Sequence, residues 1–331
     1  MKSSPDPYGV PPTPRHGDPR PVFGDRTRAV RAAAVTPFLK SNYIEHAPQR
    51  DVIDQLLDYS LSMLPLLGRP IDGRGLSEHS GAGKSRMIER LVETAATRRR
   101  DAGQSPNPYQ IVCVELDKTT TIASFYRQVL FKLKDEHWND TRSTTDDLED
   151  RIVTLSRRLG VEALVGDEAQ HLDRKTTNAD QVTDRLKTFL NRGVLPLILI
   201  GDEKAKSFFA KNPTFAVRLG TPLALKPLDF ARPGTDQKLF LKFCDALDTV
   251  LAASGIMDRV SGLGRPGIRT PLAQVSGGHV GRVCRLVGEA AQHALRRGSP
   301  VIEPHDLSVA TRDYAIGLGW IARDPFSRRM R

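Results

Sequence analysis

Ser80-Gly81-Ala82-Gly83-Lys84-Ser85 has the form of the back half of a phosphate-binding loop. Leu164-Val165-Gly166-Asp167-Glu168, far downstream, is an apolar run closed by two carboxylates. In the first stretch Gly83-Lys84-Ser85 opens a helix. The backbone N–H groups around it can cradle phosphate oxygens, Lys84 can reach the β/γ-phosphates, and the Ser85 hydroxyl can ligate Mg²⁺. In the second stretch Asp167 suits the Mg²⁺ shell and Glu168 suits polarising an attacking water. Each has a plainer reading: a surface helix start for Lys84 and Ser85, and a helix N-cap pair for Asp167 and Glu168. Their occurrence together, in this order and about one half-domain apart, favours a nucleotide-hydrolysing fold that uses Mg²⁺.

The surrounding pattern agrees. A helix is expected after Ser85 on Met87, Ile88, Leu91 and Val92, then a strand at Tyr109–Leu116. Helices over about 122–134 and 146–159 follow, then a strand at Ala163–Gly166, a helix over about 178–192 and a strand at Val194–Gly201. Strands alternating with helices predict an α/β fold with a parallel sheet covered on both faces. After Pro227 the pattern changes to helices over 236–254, 267–276, 279–297 and 304–316, which predicts a small helical lid domain. Residues 26–70 read as a mostly helical lead-in to the sheet domain. The first 25 residues, rich in proline, read as a flexible arm, and residues 318–331 as a basic tail carrying Phe326.

The 331 residues suffice for one large domain or two smaller ones. No apolar run approaches the roughly 18 residues of a membrane helix, and Met1-Lys2-Ser3-Ser4-Pro5 lacks the apolar stretch of a signal peptide. The cysteines Cys113, Cys244 and Cys284 show no metal spacing, which fits a reduced, cytoplasmic protein. A formal charge of +10 favours a polyanionic partner such as duplex DNA. The competing reading is a generally arginine-rich surface.

The chain resembles the AAA+ ATPases and, within them, the TniB family of transposition ATPases related to TnsC. The resemblance rests on Asp167-Glu168-Ala169-Gln170-His171-Leu172 with its lead-in Gly160–Val165, on Val194–Gly201, and on Ser276-Gly277-Gly278-His279-Val280-Gly281-Arg282-Val283. It covers roughly residues 35–315. It implies a bacterial, DNA-associated ATPase that assembles with ATP into a ring or filament on duplex DNA and recruits a transposase, with the tail around Pro325-Phe326 as a candidate contact. The resemblance also implies roles for three further residues. Asp202 stands where a "sensor 1" residue would touch the γ-phosphate or the water, or it caps the helix that follows. Arg218 stands where an arginine reaches the neighbouring subunit's ATP, or it is an ordinary surface arginine. Arg282 stands where a "sensor 2" arginine contacts phosphate from the lid, with Arg285 as the alternative. The loop Lys118-Thr119-Thr120-Thr121 corresponds to a region facing the duplex backbone, or Thr121 simply caps a helix. His171, Trp138 and Trp320 read as packing residues.

One departure is conspicuous. The loop pattern G-x-x-x-x-G-K-[ST] places Glu78 where the first glycine belongs. The strand before it, Gly73-Arg74-Gly75-Leu76-Ser77, has a single large apolar residue. A carboxylate there would repel phosphate unless it turns away. This leaves two rivals to an active transposition ATPase: a nucleotide-binding adaptor with little turnover, and another AAA+ DNA-associated ATPase such as a replication initiator, helicase loader or signalling ATPase.

Overall fold

The structure is a computed structural model and describes residues 23–24, 26–78, 83–172, 179–211, 213–231 and 233–327. The described residues form two compact units. One comprises residues 48–78 and 84–226, the other the residues up to 47, Gly83 and those from 227 onward.

The first unit is built on four strands: β1 (Arg74–Ser77), β2 (Ile111–Glu115), β3 (Ala163–Asp167) and β4 (Leu197–Gly201). All pair in parallel in the order β1-β4-β3-β2. Leu223 extends the β1 edge with a parallel bridge to Leu76. Helices α2 (Ala47–Met63), α3 (Lys84–Asp101), α4 (Ile122–Lys132), α5 (Thr145–Leu159), α6 (Ala179–Asn191), α7 (Glu203–Lys211) and α8 (Pro213–Leu219) complete the unit.

Alternate residues of the strands point to opposite faces. Val165, Ile198 and Ile200 join one apolar core with Met87 and Leu91 of α3. Leu164, Leu197 and Leu199 join the other with Phe125, Tyr126 and Phe189. With both faces covered, the strands read as continuous apolar runs.

β1 is the exception, and the glycines in it and just before it explain why. A Cβ on Gly75 would lie 3.1 Å from the Phe209 ring, and one on Gly73 would lie 3.0 Å from Leu219. Side chains of α7 and α8 fill the space that β1's own side chains would occupy. The strand is poor in apolar residues because its neighbours press onto its backbone.

The second unit contains α1 (Arg28–Ser41), α9 (Thr235–Ala253), α10 (Pro266–Ser276), α11 (Val280–Arg296) and α12 (Pro304–Ala310), the last continuing into a π-helical turn at Thr311–Ala315. The helices expected after Pro227 are all present. The place of α1 corrects the expectation of a lead-in to the sheet domain. Val35 and Phe38 belong to the core of the helical unit with Leu286, Val287 and Ala290. Gly288 of α11 lets α1 approach, since a Cβ there would lie 3.0 Å from Leu39. Arg31, also buried, donates to Gly255 O, Ile256 O and Asp258 Oδ1 at 3.2, 3.3 and 2.5 Å.

The tail needs a second correction. Phe326 is 3% exposed and is part of the same core. Ser308 donates to Asp324 Oδ2 at 2.6 Å. The aromatic proposed as a partner contact is taken up by the protein's own interior. Arg328, Arg329, Met330 and Arg331 lie outside the described residues, as does most of the proline-rich arm.

Candidate functional site

The parallel sheet brings the ends of β1, β3 and β4 to one edge, because Ser77 pairs with Gly201 and Gly166 with Leu199. In parallel α/β sheets this carboxyl edge is where ligands bind. Ser80, Gly81 and Ala82 lie outside the described residues. Gly83 has φ +93, a conformation that favours glycine, immediately before α3. Lys84 opens that helix, and its Nζ donates to Glu78 O at 3.1 Å. Ser85 follows, exposed in the first turn.

Glu78 turns inward. It is 4% exposed. Its backbone N–H donates to Gly201 O at 3.1 Å, and its Oε1 accepts from the Leu225 N–H. Burial pushes its carboxyl up to about 7, offset in part by the Leu225 amide and the Lys84 charge. The glycine position is therefore filled by a carboxylate anchored to the segment that flanks β1.

Asp167 ends β3, and its Oδ1 accepts from the Glu168 N–H at 2.8 Å. Burial raises its carboxyl above the usual carboxylate range. The Glu168 amide and the Lys84 charge oppose this, while the charges of Glu168 and Glu115 reinforce it. A cation would relieve this crowding of negative charge. The donor set of one carboxylate and one hydroxyl, Asp167 and Ser85, is what Mg²⁺ takes alongside phosphate oxygens. The residues fit the ion.

Glu168 has φ +58, rare for a residue with a side chain. Its Oε2 accepts from Gln170 Nε2. The other end of that amide, Gln170 Oε1, accepts from the Asp202 N–H at 3.0 Å. Gln170 was visible in the sequence only as part of a motif, and the structure makes it the bridge between β3 and β4.

Asp202 takes the capping position of its two readings: its Oδ1 accepts from the Lys204 N–H at 2.8 Å and its carbonyl from the Ala205 N–H at 2.9 Å. Arg218 lies on α8 with Nη1 3.4 Å from Asp72 Oδ1, beside Val217, which is 78% exposed. Arg282 lies in the first turn of α11 in the helical unit, its guanidinium 5.3 Å from the Trp320 ring centroid. Trp320 packs on that unit's core, and Trp138 packs on Phe131 with centroids 5.0 Å apart.

In the loop before α4, Thr121 is the N-cap, paired with Ser124 in a capping box. Thr120 is 2% exposed, and its hydroxyl donates to Asp117 Oδ1 at 3.0 Å. Thr119 donates to the same oxygen through its N–H and its hydroxyl. These bonds hold the Asp117 carboxyl below its usual range. Thr119 and Thr120 bond within the loop and Thr121 caps α4, and Lys118 is exposed beside them.

The family model for the bacterial TniB protein matches residues 38–227. A search of curated proteins gives no match. Among solved structures the chain is similar to the Aeropyrum pernix ORC2 protein in ADPNP–ADP complexes, with TM-score 0.57 and 14% identity over 85% of this chain and 71% of that one. It is similar to the Aeropyrum pernix ORC1 protein in complex with DNA, with TM-score 0.56 and 17% identity over 87% and 69%. Cdc6p from Pyrobaculum aerophilum gives TM-score 0.58 and 15% identity over 83% and 70%. These likenesses carry the fold, an α/β P-loop NTPase fold of the AAA+ type with a C-terminal helical domain. No helix among the described residues is long and apolar enough to cross a membrane.

Proposed function

Since this chain belongs to the TniB family, we propose that it is an ATPase that regulates DNA transposition, binding ATP and Mg²⁺, assembling on duplex DNA and recruiting a transposase. The observation that carries the reading is the convergence of Lys84, Asp167 and Glu168 at one edge of a parallel sheet.

In this reading the amides of residues 80–85 bind the phosphates and Lys84 exchanges Glu78 O for a phosphate oxygen. Ser85 and Asp167 would hold Mg²⁺, which supplies charge neutralisation at the phosphates. Glu168 orients a water and accepts its proton. Arg218 completes the neighbouring subunit's site. Its ion pair with Asp72, whose side chain is 55% exposed, is a surface contact worth at most about 1 kcal/mol and does not hold it back. Asp202, the residue after β4, stays the sensor candidate, with its carboxylate also capping α7. Arg282 and Lys118 are the remaining candidates, for nucleotide and for the DNA backbone. ATP shared between subunits favours a ring or filament, and hydrolysis dissolves it. The test is sedimentation of the protein with ATP and duplex DNA. A chain that binds ATP yet stays monomeric on DNA contradicts the proposal.

Glu78 favours a second reading, a nucleotide-binding adaptor with little turnover. Phosphate release by wild type compared with Glu168→Gln separates the two. Equal, background rates select the adaptor.

A further inference from the structure

We propose that Gln170 is a positioning residue for hydrolysis, a tie that fixes the Glu168 carboxylate relative to the tip of β4. The inference rests on the ATPase reading of Glu168 given above. Glu168 leaves the end of β3 with a left-handed backbone, so its side chain departs in a direction that the strand alone would not give. The turn that follows, Ala169–Leu172, is closed by the His171 N–H donating to Glu168 O at 2.9 Å. That turn places the Gln170 amide between two groups of opposite polarity. Nε2 donates to Glu168 Oε2, and Oε1 accepts from the Asp202 N–H at 3.0 Å. Reversing the amide would set oxygen against carboxylate and N–H against N–H, so one orientation satisfies both ends.

The space is reserved for this amide. A Cβ on Gly201 would lie 2.7 Å from Gln170 Oε1 and 2.5 Å from Ala205 Cβ. Gly201 also accepts the Glu78 N–H through its carbonyl, at 3.1 Å. One continuous set of hydrogen bonds therefore runs from the entry of the phosphate loop, across the tip of β4 and through Gln170, to the residue that handles the water. A shift of β4 against β3 is transmitted to the Glu168 carboxylate.

The competing role is narrower: Gln170 merely satisfies the Asp202 N–H. Two variants separate the roles. Gln170→Glu keeps an acceptor for that N–H but sets a carboxylate against Glu168. Gln170→Met keeps the shape and loses both bonds. Phosphate release at saturating Mg-ATP gives kcat, and calorimetry gives the ATP Kd, with Glu168→Gln as background. Both variants lower kcat by roughly 10- to 100-fold, with Kd unchanged within about twofold. Wild-type kcat in Gln170→Glu overturns the proposal. A wild type no faster than Glu168→Gln overturns the ATPase reading instead, and thermal melting then decides the tie by itself. Gln170→Glu lowers Tm, and adding Glu168→Gln recovers most of the loss, because an amide can donate to the introduced carboxylate. Additive shifts in Tm overturn the tie.

Discussion

Glu78→Gln gives a pH-dependent signal whose sign follows from burial. The carboxyl rises from 4.5 to about 7 because it is 4% exposed, and the Leu225 amide and the Lys84 charge offset only part of that rise. The folded-state value exceeds the unfolded one. Stability linked to this group is therefore fully present below the unfolded value and is lost as pH rises through about 7. The full difference corresponds to about 3 kcal/mol. Glutamine keeps an oxygen for the Leu225 N–H and removes the titration. Its extra N–H group adds an offset that does not depend on pH. The quantity to follow is the difference in unfolding free energy between variant and wild type, by urea denaturation from about pH 4.5 to about pH 8. That difference moves in favour of Glu78→Gln by up to about 3 kcal/mol across the range. A constant difference refutes the burial argument. A difference moving the other way shows that Lys84 and the Leu225 amide hold the anion more strongly than burial opposes it.

Four further outcomes follow. Glu168→Gln lowers phosphate release by about 10²- to 10⁴-fold while calorimetric ATP affinity stays near wild type. Arg218→Ala lowers turnover with ATP binding retained, and mixing it with Lys84→Ala recovers part of the rate, because each variant supplies what the other lacks; the absence of recovery argues against a contribution in trans. Tyr59→Phe costs about 1–3 kcal/mol in urea unfolding, because its hydroxyl accepts from the Leu197 N–H at 3.2 Å and donates to Asp72 O at 2.5 Å. Phe326→Ala costs about 3–5 kcal/mol by the same assay, whereas a free tail would leave stability unchanged.

The sheet was legible where strands carry their own apolar residues, as at Val112, Leu164, Val165 and Leu197–Ile200. β1 was obscure because Phe209 and Leu219 occupy the space over Gly73 and Gly75. That filling comes from residues more than a hundred positions away. The helices after Pro227 were legible from their period. The partner of α1 was not, because the stripe of Ala32, Val35 and Phe38 says that something covers it without saying what. At the candidate site, Lys84, Asp167 and Glu168 stand out by residue type and order. Gln170 does not, since its part depends on a hydrogen bond across strands to Asp202. Lys118-Thr119-Thr120-Thr121 reads as a loop facing DNA or, at Thr121, as a helix cap, and the bonds of Thr119 and Thr120 to the Asp117 carboxylate had no sequence signal of their own. Arg282 had a phosphate reading from its place at the start of α11, and its stack on Trp320 depends on a residue beyond α12.

Calorimetric titration of Mg-ATP into the full chain and into Lys84→Ala decides whether nucleotide binds at this edge of the sheet. The wild type shows one saturable site and the variant none, with both proteins folded by their melting curves. No heat from wild type, or the same isotherm from both proteins, contradicts binding there.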